Sequence, residues 1–302
     1  MEILTTIFSF VFLSQVLRIF TPYFLGATGA NFSERGGVIN IAIEGFMISG
    51  AFCFTVITVI SGYSFLGISF ALLINSLLAV VFSVFVLKLR LNQILIGVGL
   101  NLLIAGLAKF FMMYIFKSSS NTPRIDEIPR IPFLESIPYF GNILSDYIIL
   151  FSLILISVSQ FVLYKTKFGL RLRSCGENPE AAETSGVNVH SYKFYGILIS
   201  ALLSCLAGIW LASNQNSYSD GMVAGRGYIA IAAMIIGKWK PVNIFWACIL
   251  FSFFEALEIS LQIIPTGIPN QLIQMLPYLI TLLVLIGFIG KTKPPAADGV
   301  PY

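Results

Sequence analysis

Apolar stretches of roughly bilayer-crossing length, separated by short polar connections, follow one another along the whole 302-residue chain. A bilayer core of roughly 30 Å takes about 20 residues of helix. Cut on that rule, the pattern predicts spans over Ile3–Gly29, Val38–Ile60, Phe65–Leu87, Gln93–Phe116, Asp146–Tyr164, Ser191–Ala212, Asn243–Ile264 and Gln271–Ile289. A further apolar stretch, Gly227–Gly237, is too short to span unaided and reads as a half-helix or re-entrant piece. The expected fold is all-α: a polytopic membrane helix bundle of about eight to nine transmembrane segments, with re-entrant or broken helices allowed for.

Polar punctuation adds orientation. The clusters Lys88-Leu89-Arg90, Lys165-Thr166-Lys167 with Arg171 and Arg173, Lys238-Trp239-Lys240 and Lys291-Thr292-Lys293 lie in short connections, where Lys and Arg favour the cytoplasm. One parity satisfies all four. It requires the short Gly227–Gly237 stretch to cross, puts the end of the chain inside, and puts its beginning outside unless Gly26–Gly50 is re-entrant. Met1-Glu2-Ile3-Leu4 lacks the basic region and cleavage site of a signal peptide and reads as the edge of the first span. The longest connection, 117–145, then lies outside. Its Pro123, Pro129, Pro132 and Pro138 favour extended or turn conformations, either as a connector or as a docking surface for an external partner. Residues 1–302 thus read as one membrane domain, with a cytoplasmic loop at 165–190.

Composition agrees. Charged residues make up 11% of the chain and mean hydropathy is +0.89, whereas soluble domains are about a quarter charged. A net charge of +4 is too small to imply nucleic acid. Cys53, Cys175, Cys205 and Cys248 have no ligand-like spacing and His190 is the only histidine, so no metal site is expected. Without HExxH or GxSxG, an intramembrane enzyme has no visible chemistry.

Within the cytoplasmic loop, Asn178 can cap a helix by accepting from a free backbone N–H, and Pro179 suits the first helical position. Glu180 and Glu183 favour the positive end of the helix dipole, and Gly186 permits the left-handed residue that closes it. Ala181 and Ala182 give this helix of about two turns a smooth face for another protein. The stretch GENPEAAETSGV resembles the cytoplasmic coupling-helix motif, GxNPxAAxxxGI, of ABC importer permeases of the ribose and simple-sugar branch. Phe32–Met47 is similar to the ERxGVxNIGIEG signature of that branch's nucleoside permeases. Lys293–Tyr302 resembles the PAALGxPY tail of the shorter of their two paired permeases, with Asp298 where Leu is usual.

The resemblance covers essentially the whole chain. It implies a multi-pass subunit in the bacterial cytoplasmic membrane that translocates a nucleoside, with a purine nucleoside the first choice and riboflavin or a simple sugar the alternative. It also implies three partners: a second homologous permease, a cytoplasmic ABC ATPase that can be a fused tandem, and an external substrate-binding lipoprotein or protein. Residues Asn178, Pro179, Glu180, Ala181, Ala182 and Gly186 would couple to the ATPase. This chain should need no cofactor and no catalytic residue of its own, since ATP and Mg would bind the ATPase. Gly290-Lys291-Thr292 resembles the end of a Walker A motif, but its leading glycine is replaced by Leu285.

Polar side chains inside spans are costly unless partnered or facing a cavity. Asn40 and Glu44 are one helical turn apart. Gln93, Gly97 and Asn101 repeat at four-residue spacing, and Glu255, Glu258 and Gln262 share another face. Each set suits ribose hydroxyls or a base edge, or equally the gluing of one helix to another. A proton-coupled secondary transporter using Glu44, Glu255 and Glu258 is the rival of another class. A short echo between Arg35–Ala42 and Arg226–Ala232 hints at an internal repeat.

Overall fold

The computed structural model describes residues 10–125, 131, 145–263, 269–276, 279 and 293–302. Expectations for residues 1–9, most of the 117–145 loop with Pro129, Pro132 and Pro138, most of the Gln271–Ile289 span, Leu285 and Gly290-Lys291-Thr292 lie outside the described residues. The helices are α1 (Phe10–Arg35), α2 (Ile43–Ser61), α3 (Ser64–Ser83), α4 (Gln93–Phe116), α5 (Tyr147–Lys165), α6 (Lys167–Glu177), α7 (Pro179–Thr184), α8 (Val189–Gln215), α9 (Arg226–Ile236), α10 (Pro241–Ile263) and α11 (Asn270–Gln274). Among the described residues seven helices are long and apolar enough to cross a membrane. The chain is a multi-pass membrane protein with an all-helical bundle.

Local signals set the helix ends. Asn92 accepts from the N–H groups of Ile94 and Leu95 to start α4, Asp146 from Ile148 and Ile149 to start α5, and Asn188 from Ser191 to start α8. Gly62, Lys117 and Asn216 adopt left-handed backbone to end α2, α4 and α8. The last turn of α3 widens into a π-helix over Val84–Lys88.

At the centre, α8 carries small residues at every fourth position: Gly196, Ser200, Ser204 and Gly208. Such a stripe lets helix backbones approach closely where there is no water to drive packing. A Cβ on Gly208 would overlap the Met47 carbonyl oxygen of α2, and a Cβ on Gly29 of α1 would lie 2.9 Å from the Ser200 carbonyl oxygen. On the far side of α1, Phe20 stacks on Phe24 with centroids 5.0 Å apart, and both meet Phe245 of α10 edge-on.

The basic connections gather at one face. There the end of α1 meets the α9–α10 turn, where Arg35 donates through Nε to the Trp239 carbonyl at 3.1 Å and the Trp239 indole donates to Glu34 at 2.7 Å. Arg35 also donates to the Tyr164 hydroxyl near the end of α5. A surface pocket joins Lys88 and Arg90, after α3, to His190 of α8. Phe10, the first described residue, lies at the other end of the 26-residue α1 from Arg35.

Two expected boundaries move. The first helix continues past Gly29 to Arg35, and the expected span from Val38 becomes a non-helical stretch, Gly36–Ala42, followed by α2. The loop expected at 165–190 holds a further helix, α6, capped by the Thr166 hydroxyl.

Candidate functional site

Breaking a helix inside a membrane leaves backbone groups that only protein can satisfy, and Gly36–Ala42 shows where the partners come from. The Ser33 hydroxyl donates to the Val38 carbonyl at 2.7 Å, and the Gln93 side-chain oxygen accepts from the Ile39 N–H at 2.7 Å. The Asn40 side chain accepts from the Ala42 N–H and donates to the Ser200 hydroxyl at 2.9 Å. Asn101 accepts from the Gly45 N–H at 2.8 Å and donates to the Ile41 carbonyl at 2.9 Å. Between Gln93 and Asn101, Gly97 leaves room for the Ile41–Ala42 backbone. The four-residue stripe of α4 thus runs alongside the unwound segment and holds it.

A second break faces the first. After α8 the chain turns inward through Asn216–Gly225, and α9 starts there as a half-helix of 11 residues, about 16 Å long at 1.5 Å per residue. Its N-terminus is capped from α2. Glu44 accepts from the Gly225 N–H at 2.8 Å and the Gly227 N–H at 2.7 Å, one carboxylate oxygen each. A carboxylate at a helix N-terminus is favoured by both hydrogen bonding and the dipole. Gly227 is needed because a Cβ there would lie 2.7 Å from the Glu44 backbone nitrogen.

The neighbouring polar groups close a network. Arg226 pairs with Glu255 of α10 at 3.0 Å, and Glu255 also accepts from the Tyr23 hydroxyl of α1. Glu258 accepts from Gln262 at 2.8 Å. Asn101 donates to the Tyr228 hydroxyl at 3.1 Å, and Tyr228 is about half exposed on the open side of α9. The structure therefore brings Asn40, Glu44, Gln93 and Asn101 together around the two breaks, with Glu255 joined to them through Arg226 and α9. In this structure Asn40, Glu44, Gln93 and Asn101 all place polar atoms in hydrogen bonds between elements.

Sequence spacing missed Tyr23, Ser200, Arg226 and Tyr228. Nothing in the periodicity marks them, because each acts through a partner remote in sequence. The echo between Arg35–Ala42 and Arg226–Ala232 has no structural counterpart: the first stretch is mostly unwound and the second is helix. At the face opposite the basic one, part of the long loop packs on the start of the inward turn, with Thr122 donating to the Tyr218 carbonyl and Asp220 to that of Ser120. Lys109 is paired with Asp220 at 3.0 Å.

On the basic face, α7 forms as its caps dictate. Asn178 accepts from the Ala181 N–H at 3.0 Å, Pro179 occupies the first turn, and Gly186 has φ +79°. One expectation fails. Ala182 does not share an outer face with Ala181 but is buried against Cys175 and Val189, because residues one apart on a helix point about 100° apart. Glu180, Ala181 and Thr184 are exposed, beside an open groove of about 470 Å³ between α6 and α7 rimmed by Leu170, Arg171 and Ser174. Tyr302 reaches this helix, its hydroxyl donating to Glu183, which pushes the phenol up to about 12. Asp298 packs beside Glu34, and burial pushes its carboxyl up to about 7, against the opposing pull of its hydrogen bond with Glu34 and of the Lys193 charge.

A bundle of membrane-crossing helices in which the Gly36–Ala42 stretch and the half-helix α9 are held by buried carboxamides and carboxylates, with a capped helix exposed on the basic face, fits a transport permease. The chain belongs to the permease family described as "Branched-chain amino acid transport system / permease component", which it matches over residues 12–285. It is 36% identical to the guanosine ABC transporter permease protein NupQ of Bacillus subtilis (strain 168), over 93% of this chain and 92% of that one. It is also 36% identical to the nucleoside ABC transporter permease protein NupC of Lactococcus lactis subsp. cremoris (strain MG1363), over 97% and 96%. A solved metal-chelate type ABC transporter in an inward-facing conformation aligns over 89% of this chain and 84% of its own, at 19% identity and a TM-score of 0.48, too slight a likeness to build on.

Proposed function

We propose that this chain is the membrane-spanning subunit of an ABC importer that carries a nucleoside, a purine nucleoside first, across the bacterial cytoplasmic membrane. The observation that carries this reading is the 36% identity, along almost the whole chain, to two permeases named for guanosine and nucleosides. It pairs with a second, homologous permease, receives solute from an external binding protein, and moves in response to a separate ATPase that binds ATP and Mg. The basic face is cytoplasmic, in keeping with the bias of Lys and Arg. The chain itself makes or breaks no covalent bond.

In this reading α7 and the groove beside α6 receive the ATPase. Glu180, Ala181 and Thr184 meet it, while Ala182 anchors the helix to its own chain. Asn178, Pro179 and Gly186 act by shaping the helix. The solute passes along the open side of α9, where Tyr228 is exposed.

The two alanines separate docking from folding. Ala181→Arg is expected to leave membrane insertion and thermal stability unchanged while lowering both ATPase co-purification and uptake by about tenfold or more, equivalent to at least ~1.4 kcal/mol of docking energy. Ala182→Arg is expected to lower stability as well, because it forces a charge among buried side chains. Wild-type co-purification and uptake with Ala181→Arg would remove α7 as the docking element.

A further inference from the structure

We propose that Lys293–Tyr302 is a strap that carries movement of α7 to the unwound segment Gly36–Ala42, with Tyr302 and Gly299 as its two working contacts. This rests on the reading of α7 as the element that receives the ATPase.

The strap touches both ends of that route. At α7, the Tyr302 hydroxyl donates to Glu183, and the ring packs on the cluster that buries Ala182. The same ring lies 5.5 Å from the Lys193 ammonium of α8. At the end of α6, the Ala297 N–H donates to the Gly176 carbonyl at 2.9 Å. At the unwound segment, Gly299 has φ +76°, and a Cβ on it would lie 2.7 Å from the Ile39 Cδ1. Gly37, with φ +80°, sits so close to the strap that a Cβ there would be 3.2 Å from the Ala297 carbonyl oxygen.

These contacts form a short continuous route. Glu183 and Ile39 are joined through one segment of ten residues, which runs beside a second contact, the end of α6, where Gly176 abuts Gly37. Ile39 is held on its other side by Gln93, so displacement of the strap bears directly on the segment that α4 pins. A strap fastened at two ends supplies the connected path between the two sites, and the ratio of uptake to hydrolysis reads whether both sites bias it.

The test uses the assembled transporter, this chain with its partner permease, ATPase and binding protein, in proteoliposomes, reading nucleoside uptake and ATP hydrolysis together. Wild-type protein must first show ATP-driven uptake; its absence would count against the proposed function and not against the strap. Tyr302→Phe keeps the ring and loses the bond to Glu183. Gly299→Val puts a side chain on Ile39 at a left-handed position. Both are expected to assemble and hydrolyse ATP within about twofold of wild type while uptake per ATP falls by about tenfold, a ~1.4 kcal/mol loss of coupling. A wild-type ratio of uptake to hydrolysis in both variants would overturn the proposal. If Gly299→Val fails to assemble, Tyr302→Phe alone decides, on the same ratio.

Discussion

Glu44→Ala is expected to abolish uptake by releasing the N-terminus of α9. The carboxylate is the acceptor for two N–H groups, those of Gly225 and Gly227, and no water-filled surface stands ready to replace it at Gly227, which is buried. A buried donor left unpaired, as at Gly227, costs ~1–3 kcal/mol, and the half-buried Gly225 N–H loses its acceptor as well. Arg226 would also lose the nearby negative charge that balances it together with Glu255. Hydrogen exchange over 225–230 should rise while the rest of the bundle keeps its protection. Glu44→Gln should fall between, since an amide offers one acceptor and sets an N–H against the second donor. Loss of uptake with unchanged exchange at 225–230 would instead assign Glu44 to contact with the solute.

Gly208→Ala is the second large effect, and its cause is purely steric. The added methyl would meet the Met47 carbonyl oxygen, so α2 and α8 have to move apart where their backbones touch. Overpacking of this kind costs ~1–3 kcal/mol, and here it falls at the most enclosed helix pair of the bundle. Gly106→Ala on α4 is the matched control, because nothing lies within 4 Å of a Cβ at that position. Its expected outcome is neutral or stabilising by up to ~1 kcal/mol, the helix propensity gained. Thermal unfolding in detergent should separate the two; equal melting temperatures would mean that the α2–α8 contact can relax at no cost.

Legibility in the sequence followed from what hydrophobicity encodes. It encodes where hydrocarbon is, so Gln93–Phe116 was read with its true bounds and Asp146 was found at the start of α5. It does not encode whether backbone inside the hydrocarbon is helical. That was decided at Gly36–Ala42 by side chains remote along the chain, Gln93, Asn101 and Ser200, which pair with backbone or side chains there. The short apolar stretch Gly227–Gly237 was legible as a half-helix, and α9 occupies Arg226–Ile236, but its capping by Glu44 of α2 was not. The caps of α7 lay within nine residues of one another and were legible in full. The inward packing of Ala182 was not, because it depends on Cys175 and Val189 of the flanking helices. Polar spacing found the residues of the two breaks but could not tell glue from path, a distinction that rests on which partner each oxygen and nitrogen meets.

The central claim is that this chain imports a nucleoside on energy delivered by a separate ATPase. Its most direct test is guanosine accumulation by proteoliposomes holding this chain with its partner permease, ATPase and binding protein, with ATP and Mg trapped on the ATPase side. The account predicts accumulation that requires ATP and is indifferent to an imposed proton gradient. Accumulation driven by a proton gradient without ATP would contradict it.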